Sequence, residues 1–260
     1  MMQDAWTFLA IKLVSVPIFI WAVSIVGRRW GHSLGGLIIG LPLTSGPVLL
    51  FLALEQGNGF VVAASQGTLL GLISLSTSCL VYSRLSFGRS WQVSLVGCCA
   101  TYFAVALLLN LLSAPLVLSF VVVVAFVVST SMLLPSGTVE IASRGPLKWE
   151  IPARMITATA VVLLITEGAT ILGPHLSGLL TTFPAYATVL AVFTHRFDGA
   201  AASSLFLRGV VTGTLSSAVF FFLLASLIMQ LGLSIAFGLA LLAAVTLQYL
   251  LFCYLKKGYG

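Results

Sequence analysis

The chain has 260 residues, of which 60% are hydrophobic and 7% charged, with a mean hydropathy of +1.16 and a formal charge of +6. A soluble domain carries about 25% charged residues and cannot hide so much apolar surface. The composition excludes a soluble enzyme or a nucleic-acid-binding domain and predicts an all-α polytopic membrane protein.

Apolar stretches of about 20 residues, enough for a helix to cross ~30 Å of hydrocarbon, recur along the whole chain. The first is not expected to be a cleaved signal, because Asp4 precedes it and Lys12 interrupts it. We predict about nine transmembrane helices, at approximately residues 5–26, 34–54, 60–82, 92–112, 116–134, 153–172, 176–195, 202–229 and 234–255.

The basic residues predict the orientation. If the spans alternate, eleven of the twelve basic residues lie at one face, and Lys12 alone lies towards the other. The positive-inside rule makes the basic face cytoplasmic, with the amino terminus outside and the carboxyl terminus inside. We therefore expect a protein of the bacterial inner membrane, monomeric or homodimeric, whose partners are the lipid bilayer and a small-molecule solute but no nucleic acid.

The chain also repeats itself, since residues 31–74 match residues 173–216 without a gap. The offset is 142, the difference between the positions of Pro184 and Pro42, and all five glycines of the second window fall on glycines of the first. The second copy begins five spans after the first, and an odd number of crossings inverts it. We predict repeat one at 1–114, a strap helix and cytoplasmic linker at 115–151, and the inverted repeat two at 152–260.

Inverted repeats favour a function as well as a fold. A pseudo-twofold axis in the membrane plane makes outward-open and inward-open shapes nearly equal in free energy, which suits a secondary transporter. The alternative is that duplication only produced a stable bundle.

The candidate substrate site lies where two corresponding spans are interrupted. Glycine and Pro42 break the second span, and Pro184 breaks the seventh. Paired interruptions of this kind indicate a transporter site, because freed carbonyls and nearby hydroxyls can contact a ligand. A packing kink is the alternative. The predicted substrate-binding residues are Pro42, Thr44, Ser45, Thr181, Thr182, Pro184 and Tyr186.

Two charged residues inside the predicted spans form a candidate charge pair. Lys12 and Glu167 both fall in the outer third of the membrane, where each costs about 2.5–3.5 kcal/mol unless it is paired. The pair would couple proton movement to transport if Glu167 releases its proton when Lys12 or substrate approaches. A structural ion pair, or an outward-reaching lysine, is the alternative.

The charged residues in the inner third of the membrane are expected to behave differently. Arg154 and Arg208 are expected to reach the cytoplasmic headgroups. If Arg208 instead faces the bundle, it favours an anionic or zwitterionic substrate. Glu55 and residues 195–198 are placed in mirror-related loops as candidate gates.

A family resemblance rests on the core Gly-Leu-x-x-x-x-Pro, present at residues 36–42 and 178–184. These segments resemble the corresponding helix of the short, single-repeat bacterial membrane proteins of the GlpM type, here duplicated. The layout of inverted four-helix units is similar to that of the drug/metabolite transporter superfamily. The first helix carries Lys12, with Arg154 as its counterpart, where the small multidrug exporters have a glutamate, so the resemblance does not extend to export of cationic drugs.

Motifs for soluble catalysis are absent from the sequence. It contains no Gly-x-x-x-x-Gly-Lys loop, no Gly-x-Ser-x-Gly turn and no His-Glu-x-x-His signature. We predict no catalytic residue, cofactor or metal, and a small polar, anionic or zwitterionic solute as substrate. Two alternatives stay open: an intramembrane enzyme acting on a lipid-linked substrate through Glu167, His175, Thr181 and Thr182, or a structural accessory subunit.

Overall fold

The structure is a computed structural model that describes residues 2–42, 46, 49–50, 53, 56–111, 114–135, 149–171 and 183–257, without the side chains of 2–12, 110, 165–171 and 257. Every regular element in these residues is an α-helix, which confirms the all-α prediction for this part of the chain. The helices are α1 (Met2–Trp30), α2 (His32–Ile39), α3 (Asn58–Ser86), α4 (Trp91–Asn110), α5 (Leu116–Leu133), α6 (Glu150–Ile171), α7 (Ala185–Asp198) and α8 (Ala200–Lys257).

Helices α1, α3, α4, α5 and α8 are long and apolar enough to cross a membrane, judged by length and composition. Their outer surfaces carry large apolar side chains, such as Val96 and Met132, which are 67% and 76% exposed. An apolar surface of this extent suits contact with lipid rather than water. The chain is thus an all-helical protein compatible with a membrane location.

Helix α8 consists of two arms that fold back on each other at Gly232. This glycine has a φ of +74° and a ψ of 170°, which interrupts the helical backbone. Ser216, 16 residues before it, donates a hydrogen bond to Gln248, 16 residues after it, at 2.7 Å. Arms α8a (200–231) and α8b (233–257) therefore pack antiparallel, and each is long enough for a crossing.

A chain of contacts brings several helix ends together at one end of the bundle, here called the basic end. The end of α1 contacts the start of α6 through Arg28 and Glu150, and the end of α3 contacts the end of α5 through Arg84 and Leu133. Further contacts join the start of α6 to the end of α7, the end of α7 to the end of α3, and the end of α1 to the end of α8b. The described basic residues of this end include Arg28, Arg29, Arg84, Arg89, Arg154, Arg196 and Lys256.

Helix α3 runs antiparallel to α8a, and α5 packs against both. At the basic end Ser83 donates a hydrogen bond to Ser204 at 2.8 Å. At the opposite end Gln66, near the start of α3, donates to the carbonyl of Ala114 just before α5. Helix α5 there stacks Phe120 on Phe222, near the end of α8a, with ring centroids 4.2 Å apart.

Helix α2 packs against α8a with the two backbones in direct contact. A Cβ atom at Gly36 would overlap the carbonyl oxygen of Phe206, and one at Gly209 would overlap that of Ser33. Glycine is required at both positions because the atom in the way belongs to a backbone and cannot rotate aside.

Two predicted boundaries change in the structure. The span predicted from residue 153 begins three residues earlier, because α6 starts at Glu150 and places Pro152 in its first turn, where a missing N–H costs nothing. Residues 195–198, predicted as a loop, form the last turn of α7, and the chain turns only at Gly199.

Candidate functional site

The first interrupted span breaks where the sequence predicts. Helix α2 ends at Ile39, and Leu41 and Pro42 are not helical. Helical geometry resumes where the N–H of Gly46 donates to the carbonyl of Pro42 at 2.8 Å. Pro42 itself is buried. The proline therefore separates two helical segments within one apolar stretch.

The second predicted interruption falls at Pro184, which directly precedes α7; residues 172–182 before it lie outside the description. Its carbonyl accepts both the N–H and the hydroxyl of Thr188, each at 2.9 Å. At the second residue of the helix, the ring of Tyr186 packs edge-to-face with that of Phe19 on α1, with centroids 5.5 Å apart. The amino-terminal end of α7 is thus placed beside the middle of α1.

Side chains of α8 donate hydrogen bonds to carbonyl groups at the end of α2, where the carbonyl of Leu37 also accepts the N–H of Gly40 at 3.1 Å. Gln248 donates to the carbonyl of Leu37, and Ser217 donates to the carbonyl of Gly40 at 2.6 Å. Gln248 is 7% exposed, and Ser216 holds its amide oxygen. Carbonyls at a helix end inside a bilayer need such partners, since no water replaces the missing intrahelical bonds.

An ionic cluster joins four helices at the basic end, made of Arg28, His32, Glu150, Arg154 and Asp198. Glu150 accepts hydrogen bonds from Arg28 at 2.9 Å and from Arg154 at 2.7 Å. Asp198 lies 3.7 Å from Arg154 and 3.9 Å from His32. The cluster therefore ties α1 and α2 to α6 and α7 through charged side chains.

Burial governs the electrostatics of this cluster. Arg154 is only 6% exposed; its guanidinium lies 5.9 Å above the centre of the Phe193 ring, and its Nε has no hydrogen-bond partner. Burial lowers the pKa of His32, although Asp198 partly opposes this effect. Burial raises the pKa of Asp198, which the positive charges of His32 and Arg154 oppose. These carboxylate and imidazole groups are thus held where a proton change would alter inter-helix contacts.

The structure corrects the expectation for Arg154, which does not extend to the headgroups. Two acidic partners hold it inside the bundle, and α6 and α7 bury it. Arg208 lies about two turns into α8a, half-buried, and forms no ion pair with any residue that the structure describes.

Other predicted site residues fall outside the description. Positions 12 and 167 lie on α1 and α6, but the side chains of Lys12 and Glu167 are not described. The remaining positions outside the described residues are Thr44, Ser45, Glu55, His175, Thr181 and Thr182.

Sequence reasoning missed Gln248 and most of the ionic cluster. One signal was available, because Glu150 and Arg154 are four residues apart and face each other on a helix. No local pattern relates Gln248 to Leu37, which lies 211 positions earlier.

A groove opens between α4, α6 and α7 and extends from the basic end to the break at Pro184. Its volume is about 550 Å³. Trp91, Trp149 and Arg196 line its mouth, and Phe183 closes its inner end. Phe183 is held there by stacking on Phe103 of α4, with centroids 5.7 Å apart.

No group of three or more His, Cys, Asp or Glu residues in the described part of the chain is arranged to hold a metal ion. Comparison of the chain with protein-family models, with curated proteins and with solved structures gives no match.

Proposed function

We propose that this protein is a secondary transporter that moves a small polar, anionic or zwitterionic solute across the bacterial inner membrane by alternating access. It is built of two inverted four-span repeats joined by the strap helix α5, with the amino terminus outside and the basic end in the cytoplasm. This layout is similar to that of the drug/metabolite transporter superfamily.

Corresponding backbone features at the offset of 142 support the duplication. Gly57 and Gly199 each precede a long helix, with φ of +84° and +93°. Ser90 and Gly232 each precede the next helical segment. The hydrogen bond from Gly46 to Pro42 corresponds to that from Thr188 to Pro184, at 2.8 and 2.9 Å.

The observation that carries the proposal is that corresponding helices of the two halves pack antiparallel. Helix α3 corresponds to α8a, and Ser83 near the end of one contacts Ser204 near the start of the other. Helix α1 corresponds to α6, and Arg28 near the end of one contacts Glu150 at the start of the other. Copies related by an axis along the membrane normal would run parallel, whereas an axis in the membrane plane makes them antiparallel.

The ionic cluster is the gate at the basic end in this proposal. Arg28–Glu150 and His32–Asp198 both join repeat one to repeat two. Movement of α1 and α2 against α6 and α7 to open this end must separate both pairs. The closed and open states of this end can interconvert, because the charged groups become hydrated by water when their ion pairs separate.

Lys12 and Glu167 are proposed as the corresponding pair at the opposite end of α1 and α6. Lys12 lies 16 residues before Arg28, and Glu167 lies 17 residues after Glu150. At 1.5 Å per residue, both positions are about 25 Å from the Arg28–Glu150 pair along antiparallel helices. One ionic contact at each end would allow each to close as the other opens.

Cysteine accessibility tests the mechanism without knowledge of the substrate. Cys79, Cys98, Cys99 and Cys253 are replaced by Ala, Tyr186→Cys is added, and a membrane-impermeant maleimide is applied to oriented vesicles from each side. Glu150→Gln should raise labelling from the basic-end side and lower it from the other side, because it weakens the gate. Labelling rates that rise from both sides of the membrane together, or that do not change, would contradict alternating access.

Flux measurements test the function itself. Purified protein in liposomes is offered labelled monocarboxylates, dicarboxylates and amino acids under proton and solute gradients. Uptake should be lost in Pro184→Leu and Glu167→Gln and kept in the control Pro135→Leu, which lies at the end of α5 outside both interrupted spans. Absence of uptake for the whole set in the unmodified protein would refute the proposal for these substrate classes.

The groove favours a second candidate, an intramembrane enzyme acting on a lipid-linked substrate. It joins the headgroup level to the helix break at Pro184, where Thr188 supplies a hydroxyl group. Chemical change of a lipid-linked substrate by the purified protein, without solute flux, would establish this candidate instead.

A further inference from the structure

We infer that the groove between α4, α6 and α7 is a binding site for a single-chain anionic amphiphile of the fatty-acid type. The carboxylate head of the ligand lies beside Arg196, and its acyl chain follows α7 towards Phe183. The inference rests on the groove alone and does not require that the protein transports a solute.

The length of the groove fits one acyl chain in one leaflet. Ala185 and Arg196 both line the groove and are 11 residues apart on α7, which is about 17 Å along a helix, and Phe183 lies beyond Ala185. Half of the ~30 Å hydrocarbon core is about 15 Å, so the remainder accommodates a headgroup. The volume of about 550 Å³ falls in the ~300–1,000 Å³ range of small-molecule sites.

Small side chains leave room in the groove for the acyl chain of the ligand, and large side chains form its ends. Ala153, Ala185 and Thr188 line the groove along α6 and α7. Ala185 and Thr188 are buried, whereas Thr157 at the rim is exposed. Among the residues that the structure describes, the space is therefore a furrow with a packed floor that opens sideways, so a ligand can enter from the bilayer without passing through water.

The mouth of the groove selects an anionic head. Arg196 is exposed and forms no ion pair with any described residue, and no acidic residue is among those that line the groove. Trp91 and Trp149 line the same mouth of the groove. Trp149 packs edge-to-face with Phe197, with the ring centroids 5.5 Å apart. Tryptophan prefers the membrane interface, which is the depth at which a carboxylate head resides. A guanidinium with no internal partner there attracts an anion over a neutral or cationic head.

Tryptophan fluorescence quenching by brominated fatty acids tests both binding and orientation. Trp6, Trp21 and Trp30 are replaced by Phe, so that emission comes from Trp91 and Trp149, and the protein is kept in dodecyl maltoside micelles. 2-Bromododecanoate should quench saturably, because its bromine lies next to the head. 12-Bromododecanoate should bind equally well but quench much less, because its bromine lies near Phe183.

Two variants with matched controls separate the site from partition into the micelle. Arg196→Gln should weaken binding of 2-bromododecanoate about tenfold, whereas Arg29→Gln, also at the exposed basic end, should not. Thr157→Phe should remove saturable quenching by filling the groove, whereas Ala125→Phe, exposed on α5, should not.

Three outcomes would overturn the inference. They are quenching that never saturates, equal quenching by the two bromine positions, and equal effects of Arg29→Gln and Arg196→Gln. Solute flux plays no part in this readout, so failure here leaves the transport proposal standing.

Discussion

Two contacts between helices of the proposed halves are built in opposite ways. Helix α2 meets α8a through glycines, with backbone against backbone, whereas α1 and α2 meet α6 and α7 through the charged side chains of the ionic cluster. Backbone contact leaves no side chain free to adjust, so it fixes two helices as one body. Charged side chains can separate into water and re-form, so they suit a contact that opens.

The largest effect should follow loss of Arg154. Arg154→Leu leaves Glu150 and Asp198 without their shared cation inside the bundle and should lower the free energy of unfolding by about 3–5 kcal/mol. Thermal denaturation in detergent measures this loss. The control Arg29→Leu, which is exposed, should change stability little, and the comparison fails if the two variants are equally stable.

Removing a negative and a positive charge from the cluster together tests whether Glu150 and Arg154 stabilise the protein as a pair. Glu150→Gln alone and with Arg154→Leu completes a double-mutant cycle. The double variant should be more stable than the sum of the two losses predicts, because it no longer buries an unpaired charge between these residues. Strict additivity would show that the two side chains do not interact.

The glycine contact should respond to a single methyl group. Gly209→Ala places a Cβ against the carbonyl of Ser33, and separating the helices should cost about 3 kcal/mol. Gly238→Ala, on the exposed side of α8b with nothing within 4 Å in the described residues, serves as the control. It should be neutral or slightly stabilising. Similar unfolding temperatures for the two variants would break the comparison.

Removal of the Gln248 amide should have a smaller effect. Gln248→Leu removes one of the two donors to the carbonyl of Leu37 and leaves the buried hydroxyl of Ser216 without its acceptor, which should cost about 1–3 kcal/mol. Gln230→Leu, exposed near the end of α8a, should cost less than about 0.5 kcal/mol. Chemical denaturation in mixed micelles distinguishes them, and a loss in Gln230→Leu as large as that in Gln248→Leu would contradict the capping role.

The pH dependence of the cluster gives the smallest effect. Burial lowers the pKa of His32 in the folded state, so its contribution to stability is full above the unfolded pKa of 6.5 and decreases as the pH falls below it. The raised pKa of Asp198 works in the opposite sense above 3.8. His32→Gln should therefore reduce the fall in unfolding temperature between about pH 7.5 and about pH 5.5, because these values bracket the ordinary histidine pKa of about 6.5. An unchanged pH profile would exclude this role for His32.

Much of the secondary structure could be predicted from the sequence. The strap span predicted at 116–134 is α5 at Leu116–Leu133, and the span predicted at 92–112 is α4 at Trp91–Asn110. Continuous apolar runs of this length specify a helix because backbone groups in hydrocarbon must bond within their own segment. Pro42 marks the break after α2 for an equally local reason, the missing N–H, and Pro184 directly precedes α7.

The candidate site was much less predictable. Arg154 was expected to reach the headgroups, since an arginine a few residues into a span commonly does so. Its burial depends on Asp198, which lies 44 positions later and was assigned to a loop. A local pattern cannot show which acidic residue comes within reach of a cation.

The sequence by itself determined where much of the described part of this chain is helical and which end of the bundle gathers positive charge, because hydropathy, proline chemistry and charge act over neighbouring residues. Only the tertiary structure decided which helices touch through bare backbone, which glutamine completes the end of α2, and which carboxylates surround Arg154. These partners lie far apart in sequence, and their meeting depends on the packing of whole helices rather than on any local preference.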